Sequence, residues 1–304
     1  MSRLLYRSFS SYLREKFGQR VQKITLDAGL SCPHRDTDKK GGCIYCNVKG
    51  SGTGAHAAGV SLKEQIETQM ALMHRRYKAR FFIAYFQSYS NTYADVDTLK
   101  AIYDEILPYP EIVGLAIGTR PDCIDEEKLS LISSYTPERL VWLEYGLQSA
   151  SDETLKRINR GHDVQTFIDA VELTAGYDLR ICAHVILGLP GEGMEQYIDS
   201  AKLIADLPVT DLKLHLLYII KGTPMEDLFR QGAYIPLTMD EYSEAVAYFI
   251  AHLRDDIVIQ RITGDPHAEE LVAPAWAMEK IQAREAIHEK MKQLDLYQGR
   301  YCSR

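Results

Sequence analysis

Three cysteines fall within the fifteen-residue run CPHRDTDKKGGCIYC, with ten residues between Cys32 and Cys43 and two between Cys43 and Cys46. Three thiolates carried on one long loop can hold three irons of a cubane cluster and leave the fourth iron with an open coordination position. A chelating amino acid such as the methionine end of S-adenosylmethionine can occupy that position, and an electron from the reduced cluster then breaks the sulfonium carbon–sulfur bond. Pro33, Gly41 and Gly42 let the loop turn tightly, and its backbone N–H groups can bond the sulfides. Tyr45, between the last two cysteines, can lie against the adenine. The competing chemistry is structural zinc, which needs four ligands; His34 or His56 could supply the fourth, but the chain has no second CxxC and no HxxxH pair. Cys123, Cys182 and Cys302 are isolated, and the first two read as small buried apolar side chains.

Something must position that loop. Six apolar, often β-branched runs recur: VQKITL (21–26), RFFIAYF (80–86), IVGLAI (112–117), LVWLEYG (140–146), RICAHVIL (180–187) and DLKLHLLY (211–218). Helical patterns separate or follow them at about 61–78, 94–107, 125–134, 151–158, 164–175, 195–206, 240–253 and 276–293. Strand then helix at this spacing requires a parallel sheet with right-handed crossovers, because parallel neighbours need a connection long enough to return the chain. The expected fold class is therefore α/β, a partial (β/α)6 barrel of the TIM type. Residues 1–229 form its core, and 230–304 form a mainly helical C-terminal extension with one short strand at IVIQRI (257–262). In such barrels chemistry gathers at the C-terminal ends of the strands. Those ends carry the cysteine loop, QSYSNTY (87–93), GTRPD (118–122), GLQSAS (146–151), GLPGEG (188–193) and IKGTP (220–224).

Composition sets the wider limits. With 304 residues, 46% hydrophobic and 25% charged, the chain can bury a large core. Six cysteines are too few for a disulfide scaffold, and clustered thiols point to a reducing compartment, the cytoplasm. The first twenty residues carry basic groups without an apolar stretch, and no run of ~18 apolar residues occurs, so neither an export signal nor a membrane span is expected. A formal charge of −7 gives no overall attraction to nucleic acid, although HRRYKAR (74–80) and KRINRGH (156–162) are local basic segments that could bind phosphate.

Together with FQSYSNTY, GTRPDCI, LEYGLQS, NRGH, HVILGLPGE and KLHLLYIIKGTP, the cysteine loop makes residues from about 3 to about 275 resemble the short bacterial radical SAM family related to the Elongator catalytic subunit. The commoner radical SAM loop has three residues between its first two cysteines, and the ten found here match this subfamily. Only about seventy residues follow the last barrel unit, too few for the acetyltransferase domain of Elongator proteins. The resemblance implies a [4Fe–4S] cluster on Cys32, Cys43 and Cys46, and S-adenosylmethionine bound beside it. Phe86 to Asn91 stands where the family has a glycine-glycine-glutamate motif for the methionine amino group; this chain lacks those residues, so Gln87 or Asn91 would do that work. Glu144 and Gln148 match residues that bind ribose hydroxyls or the amino acid portion, Arg160 matches the arginine that pairs with the methionine carboxylate, and Ile186 and Gly188 match the segment lining adenine. The residue chemistry agrees in part, since a carboxylate and an amide around Gly146 suit vicinal hydroxyls and Arg160 offers a bidentate fork.

The implied substrate is a wobble-uridine side chain of tRNA, with a flavodoxin- or ferredoxin-like protein as one-electron donor. Two alternatives stay open: a small-molecule precursor, and a non-catalytic module that binds cluster, S-adenosylmethionine and RNA. Arg75, Arg76, Lys78 and Arg80 are candidate RNA-backbone contacts. His162, His184 and His215, with Tyr85, Tyr89 and Tyr93, are candidate pocket residues that core packing would explain equally well.

Overall fold

The computed structural model describes residues 5–35, 41–47, 50 and 52–302. Strands β1 (Val21–Leu26), β2 (Phe81–Phe86), β3 (Ile112–Thr119), β4 (Leu140–Gln148), β5 (Arg180–Leu187) and β6 (Asp211–Leu216) lie side by side in chain order, all parallel. Side chains alternate between the two faces of a strand, and here both faces are buried. Leu143, Tyr145 and Leu147 of β4, Ala183 and Val185 of β5, and Leu212 and Leu214 of β6 enter the main core with the surrounding helices. The intervening residues face the concave interior and are more varied: Trp142, Glu144 and Gly146 on β4, Cys182, His184 and Ile186 on β5, Lys213 and His215 on β6.

Helix α1 (Phe9–Phe17) precedes the sheet, and the crossovers are α2 (Leu62–Tyr77), α3 (Val96–Asp104), α4 (Glu126–Ser133), α5 (Asp152–Arg157) with α6 (Val164–Ala175), and α7 (Met194–Asp206). Five of these start on an oxygen-bearing side chain that accepts from a backbone N–H of the first turn: Ser61, Asp95, Asp125, Ser151 and Asp163. Such caps satisfy one of the otherwise unpaired amides and contribute about 1 kcal/mol each. Because every helix runs back against its strand, the capped ends sit at the C-terminal edge of the sheet.

The sheet has seven strands rather than the six expected. After the two-residue β7 (Ile219–Ile220), β8 (Val258–Arg261) pairs in parallel with β6 and completes it. The run 257–262 reads as a strand in sequence, but its partner lies some forty residues upstream and only the free edge of β6 decides the pairing. Helix α8 (Pro224–Arg230) was not anticipated, nor was the antiparallel pairing of β7 with β9 (Leu271–Ala273). Helix α9 (Met239–Ala251) buries Ala245, Val246, Phe249 and Ile250 in the same core as the strands, and Ile287 and Met291 of α10 (Lys280–Gln293) join that core. Residues beyond 230 thus share the barrel's apolar core. Helix α1, also unanticipated, stops the opposite end of the interior: Leu13 is buried with Trp142, and the Phe9 ring meets Trp142 edge-on at 5.7 Å. Among the described residues no helix is long and apolar enough to cross a membrane.

Candidate functional site

A cavity of about 440 Å³ opens at the C-terminal ends of the strands. Cys32, Cys43 and Cys46 line it together with Tyr45, Gln87, Glu144, Gln148, Arg160 and Ile186. Residues expected at one site from positions 32 to 186 therefore converge, as strand-end loops of a parallel barrel must.

The cysteine loop is held by backbone bonds to segments far along the chain. Gly41 and Gly42 take positive φ of 80° and 83°, which a residue with a Cβ rarely adopts. Cys46 N–H closes a turn onto the Cys43 carbonyl at 3.0 Å; Ile44 N–H donates to Ile158 O at 3.0 Å, Asn159 Nδ2 to Gly42 O at 2.7 Å, and Met225 N–H to Ile44 O at 3.1 Å. On the other side Ser90 N–H donates to Ser31 O at 3.2 Å and the Ser90 hydroxyl lies 3.3 Å from Cys32 Sγ.

Arg160 is buried with Nη1 3.6 Å from Cys43 Sγ and Nη2 donating to Gly146 O at 2.8 Å; its Nε has no partner among the described residues. Burial raises the Cys43 thiol, but the Arg160 charge and hydrogen bonds from His34, Tyr45 and Arg160 outweigh it and bring the pKa to about 6. A thiolate favoured at neutral pH is what an iron ligand requires. Gly146 makes room for this arrangement, because a Cβ there would meet both Arg160 Nη2 and Gln148 Nε2 at 2.5 Å. His34, a candidate fourth ligand for zinc, has its ring nitrogens against Arg120 Nη1 at 2.7 Å and Asn159 O at 3.0 Å. Three converging thiols, with the His34 ring nitrogens already engaged, fit a cubane with one open iron better than a closed zinc site.

Arg120 is a residue the sequence reading missed although GTRPD was marked. Its guanidinium, 2% exposed, forks onto Asp122 at 2.8 and 2.6 Å and donates to the carbonyls of Arg160 at 2.6 Å and Gly161 at 3.0 Å. The end of β3 is thereby tied to the NRGH turn and, through His34, to the cysteine loop. Asp122 is held below its usual pKa, since the Arg120 bonds and charge overcome the effect of burial. An Arg-Pro-Asp run at a strand end was the available signal; the carbonyls it serves could not be read from the chain.

Several expectations need correction. Asn91 is not among the residues lining the cavity; its amide nitrogen donates to Ser88 O at 3.0 Å and Gly118 O at 2.9 Å, bracing the β2 loop against β3, and its Oδ1 has no partner among the described residues. Gly188 also lies outside the cavity lining, between the Tyr197 and Tyr234 hydroxyls at 3.1 and 2.6 Å. Tyr85 and Tyr89 line the cavity, whereas Tyr93 is exposed. His184 and His215 line it, and His162 stands behind Gly146 with Nε2 3.2 Å from the carbonyl. Arg75, Arg76, Lys78 and Arg80 are exposed where α2 ends and β2 begins, at the opposite end of the barrel from the cavity.

Glu144 lines the cavity, yet its carboxylate is already engaged from within the barrel. Lys213 Nζ contacts it, Lys23 Nζ lies at 2.9 Å and His184 Nε2 at 2.8 Å. Burial would raise the Glu144 carboxyl, but these partners hold it well below the usual range; the Lys213 ammonium, buried and 3.9 Å from the Tyr85 ring centroid, is brought down to about 7 despite Glu144.

Comparison with known proteins agrees with this geometry. Residues 31–204 match the Radical SAM superfamily and residues 209–293 the Radical_SAM C-terminal domain. The chain is 34% identical over 300 residues to the uncharacterized protein YtqA of Bacillus subtilis, covering 98% of this chain and 93% of that one. It is 30% identical over 139 residues to a tRNA uridine(34) acetyltransferase of Methanocaldococcus infernus, covering 45% of this chain and 26% of that protein. In fold it is similar to M. infernus Elp3 with an N-terminal deletion, with a TM-score of 0.70 at 17% identity over 91% of this chain and 63% of that structure. The chain belongs to the radical SAM superfamily, enzymes whose cofactors are a [4Fe–4S] cluster and S-adenosylmethionine.

Proposed function

We propose that Cys32, Cys43 and Cys46 hold the cluster, that Tyr45, Gln87, Gln148, Arg160 and Ile186 hold S-adenosylmethionine in the same cavity, and that the enzyme modifies the side chain of a wobble uridine in tRNA. The observation that carries the site assignment is the convergence of three thiols and the buried Arg160 guanidinium on a single cavity. When bound, the cluster supplies the electron that cleaves S-adenosylmethionine to a 5′-deoxyadenosyl radical. The chain's own part is positioning. Arg160 sets a fixed cation beside Cys43, and its guanidinium, whose Nε has no partner among the described residues, is the group we assign to a carboxylate oxygen. Arg120 holds the turn that carries it, and the flanking Gln148 amide can bond hydroxyls or the amino acid portion. Apolar groups such as Ile186, Leu216 and Leu217 keep water from the cavity wall, which protects a reactive species from side reactions. We assign residues 1–229 to the catalytic core and 230–304 to a C-terminal unit whose Arg261, His267 and Leu271 supply one wall of the cavity.

The tRNA reading is supported by the likeness to the tRNA uridine(34) acetyltransferase. Of the two basic segments, 156–162 adjoins the cavity through Arg160 and is the better candidate for contact with a phosphate backbone. A base would have to leave its stack to enter. A reducing cytoplasm suits thiolate ligands.

The test is anaerobic reconstitution with iron and sulfide, reduction by dithionite or a flavodoxin- or ferredoxin-like donor, and chromatography for 5′-deoxyadenosine with and without total tRNA. Cluster-dependent product that rises with tRNA and vanishes in Cys43→Ala is expected. Product indifferent to tRNA would remove the tRNA reading, and stoichiometric zinc in place of iron would remove the whole assignment.

A further inference from the structure

Four arginines line the cavity, and Arg261 differs from the other three. Arg35 donates to the Cys46 carbonyl at 3.1 Å, and Arg120 and Arg160 are bonded as described above. Arg261 has no hydrogen-bond acceptor and no carboxylate partner among the described residues. It reaches the interior through an irregularity of the sheet. Leu212 pairs with Ile259 but Lys213 pairs with Arg261, so β8 carries one extra residue at that point. A bulge of this kind re-aims a side chain. Gln260 turns inward to Lys23 and Asp211, and Arg261, opposite Lys213, follows it.

Among the described residues no carboxylate of the cavity forms an ion pair with Arg261: Glu144 is taken by Lys213, Lys23 and His184 and Asp265 by Lys280, while Glu270 accepts from Asn47 Nδ2 at 3.1 Å. A second polar group nearby is also unspent: His215 Nε2 is buried without a partner among the described residues, in a ring 5.3 Å from that of His184. Burial first, and then the Arg261 charge, hold this imidazole neutral, so it can serve as an uncharged donor.

We propose that Arg261 and His215 form an anion subsite on the seventh-strand side of the cavity and that it takes a carboxylate carried by the substrate. The guanidinium fork donates two N–H bonds to the carboxylate and His215 donates a third. One unspent cation matches a monoanion with two coplanar oxygens; a phosphate dianion would remain undercompensated there. The proposal rests on the reading that this cavity receives substrate, and it adds that the substrate is acidic.

The probe is trifluoropropionate, observed by fluorine NMR on the anaerobically reconstituted protein, with trifluoropropionamide and inorganic phosphate alongside. Saturable binding of the carboxylate and none of the amide is expected. Arg261→Met should weaken binding about tenfold or more, and Arg261→Lys, which keeps the charge but loses the fork, by less. Equal binding by Arg261→Met, or no saturable binding by the parent protein, would overturn the subsite. Displacement of trifluoropropionate by inorganic phosphate at concentrations below the probe's own dissociation constant would overturn the carboxylate assignment in favour of a phosphate group. The probe binds without any cleavage of S-adenosylmethionine. A failure of tRNA to stimulate 5′-deoxyadenosine would therefore leave this result standing, and an Arg261-independent result would leave the tRNA test standing.

Discussion

The two walls of the cavity are built on different principles. On the cysteine side, charge is matched: the Arg160 cation faces Cys43, and Arg120 pairs with Asp122 while tying down three main-chain or ring acceptors. On the side that faces β8, the cations are shared or unpaired: Lys23 and Lys213 meet at Glu144, and Arg261 forms no ion pair among the described residues. The first wall resembles a rigid cradle for a group that is always there, with its donors fixed before anything binds. The second keeps unspent donors, as a surface does that must be completed by a ligand that comes and goes.

Each variant below tests that contrast. Removing a thiol should have the largest effect: Cys43→Ala is expected to abolish stable cluster incorporation, read as loss of iron, sulfide and the cluster's visible absorption. Full iron retention would mean that the matched charge on this wall serves something else. Arg120→Ala comes next. It leaves Asp122 unpaired and strips the Arg160 and Gly161 carbonyls of their donor, so a loss of about 3 kcal/mol in denaturant unfolding is expected. A surface-like loss of a few tenths would show that the cradle does not depend on it. Gly146→Ala should leave the fold intact but push Arg160 and Gln148 aside, weakening S-adenosylmethionine about tenfold by equilibrium dialysis.

On the other wall, Lys213→Met withdraws one of the cations from Glu144. The Glu144 carboxyl is depressed in the folded state, so its pairing adds stability above the unfolded value of about 4.3 and that stability is lost as pH falls toward the folded value. The substitution raises the folded value, so acid unfolding should begin at higher pH; an unchanged acid midpoint would deny that Lys213 supports this charge. Ser61→Ala touches neither wall and should cost only about 1 kcal/mol through the lost cap of α2.

How much of this could be read from the chain differs by wall in the same way. Cys32 and Tyr45 were legible because they lie in a compact run of special residues, whereas Glu144, Gln148, Arg160 and Ile186 were named through the motifs that carry the family resemblance, and the irregularity of β4 between Gly146 and Gln148 could not be read from alternation. Asn91 and Gly188 fall outside the cavity lining, and a polar or glycine residue at a strand end looks the same in sequence whether it meets a ligand or braces its own loop. Their neighbours in space, Gly118 and Tyr234, belong to other segments.

The amino-acid sequence by itself determined the strand–helix alternation, the cysteine loop and the order of the strand-end motifs, because these depend on local periodicity and on close spacing. Tertiary structure alone decided that β8 closes the sheet beside β6, that α1 stops the far end of the interior, and that Lys23, Glu144, Lys213 and Arg261 share one interior. Charges so distant in sequence acquire partners, or are left without them, only when strand register and a single bulge bring them to the same depth of a low-dielectric cavity.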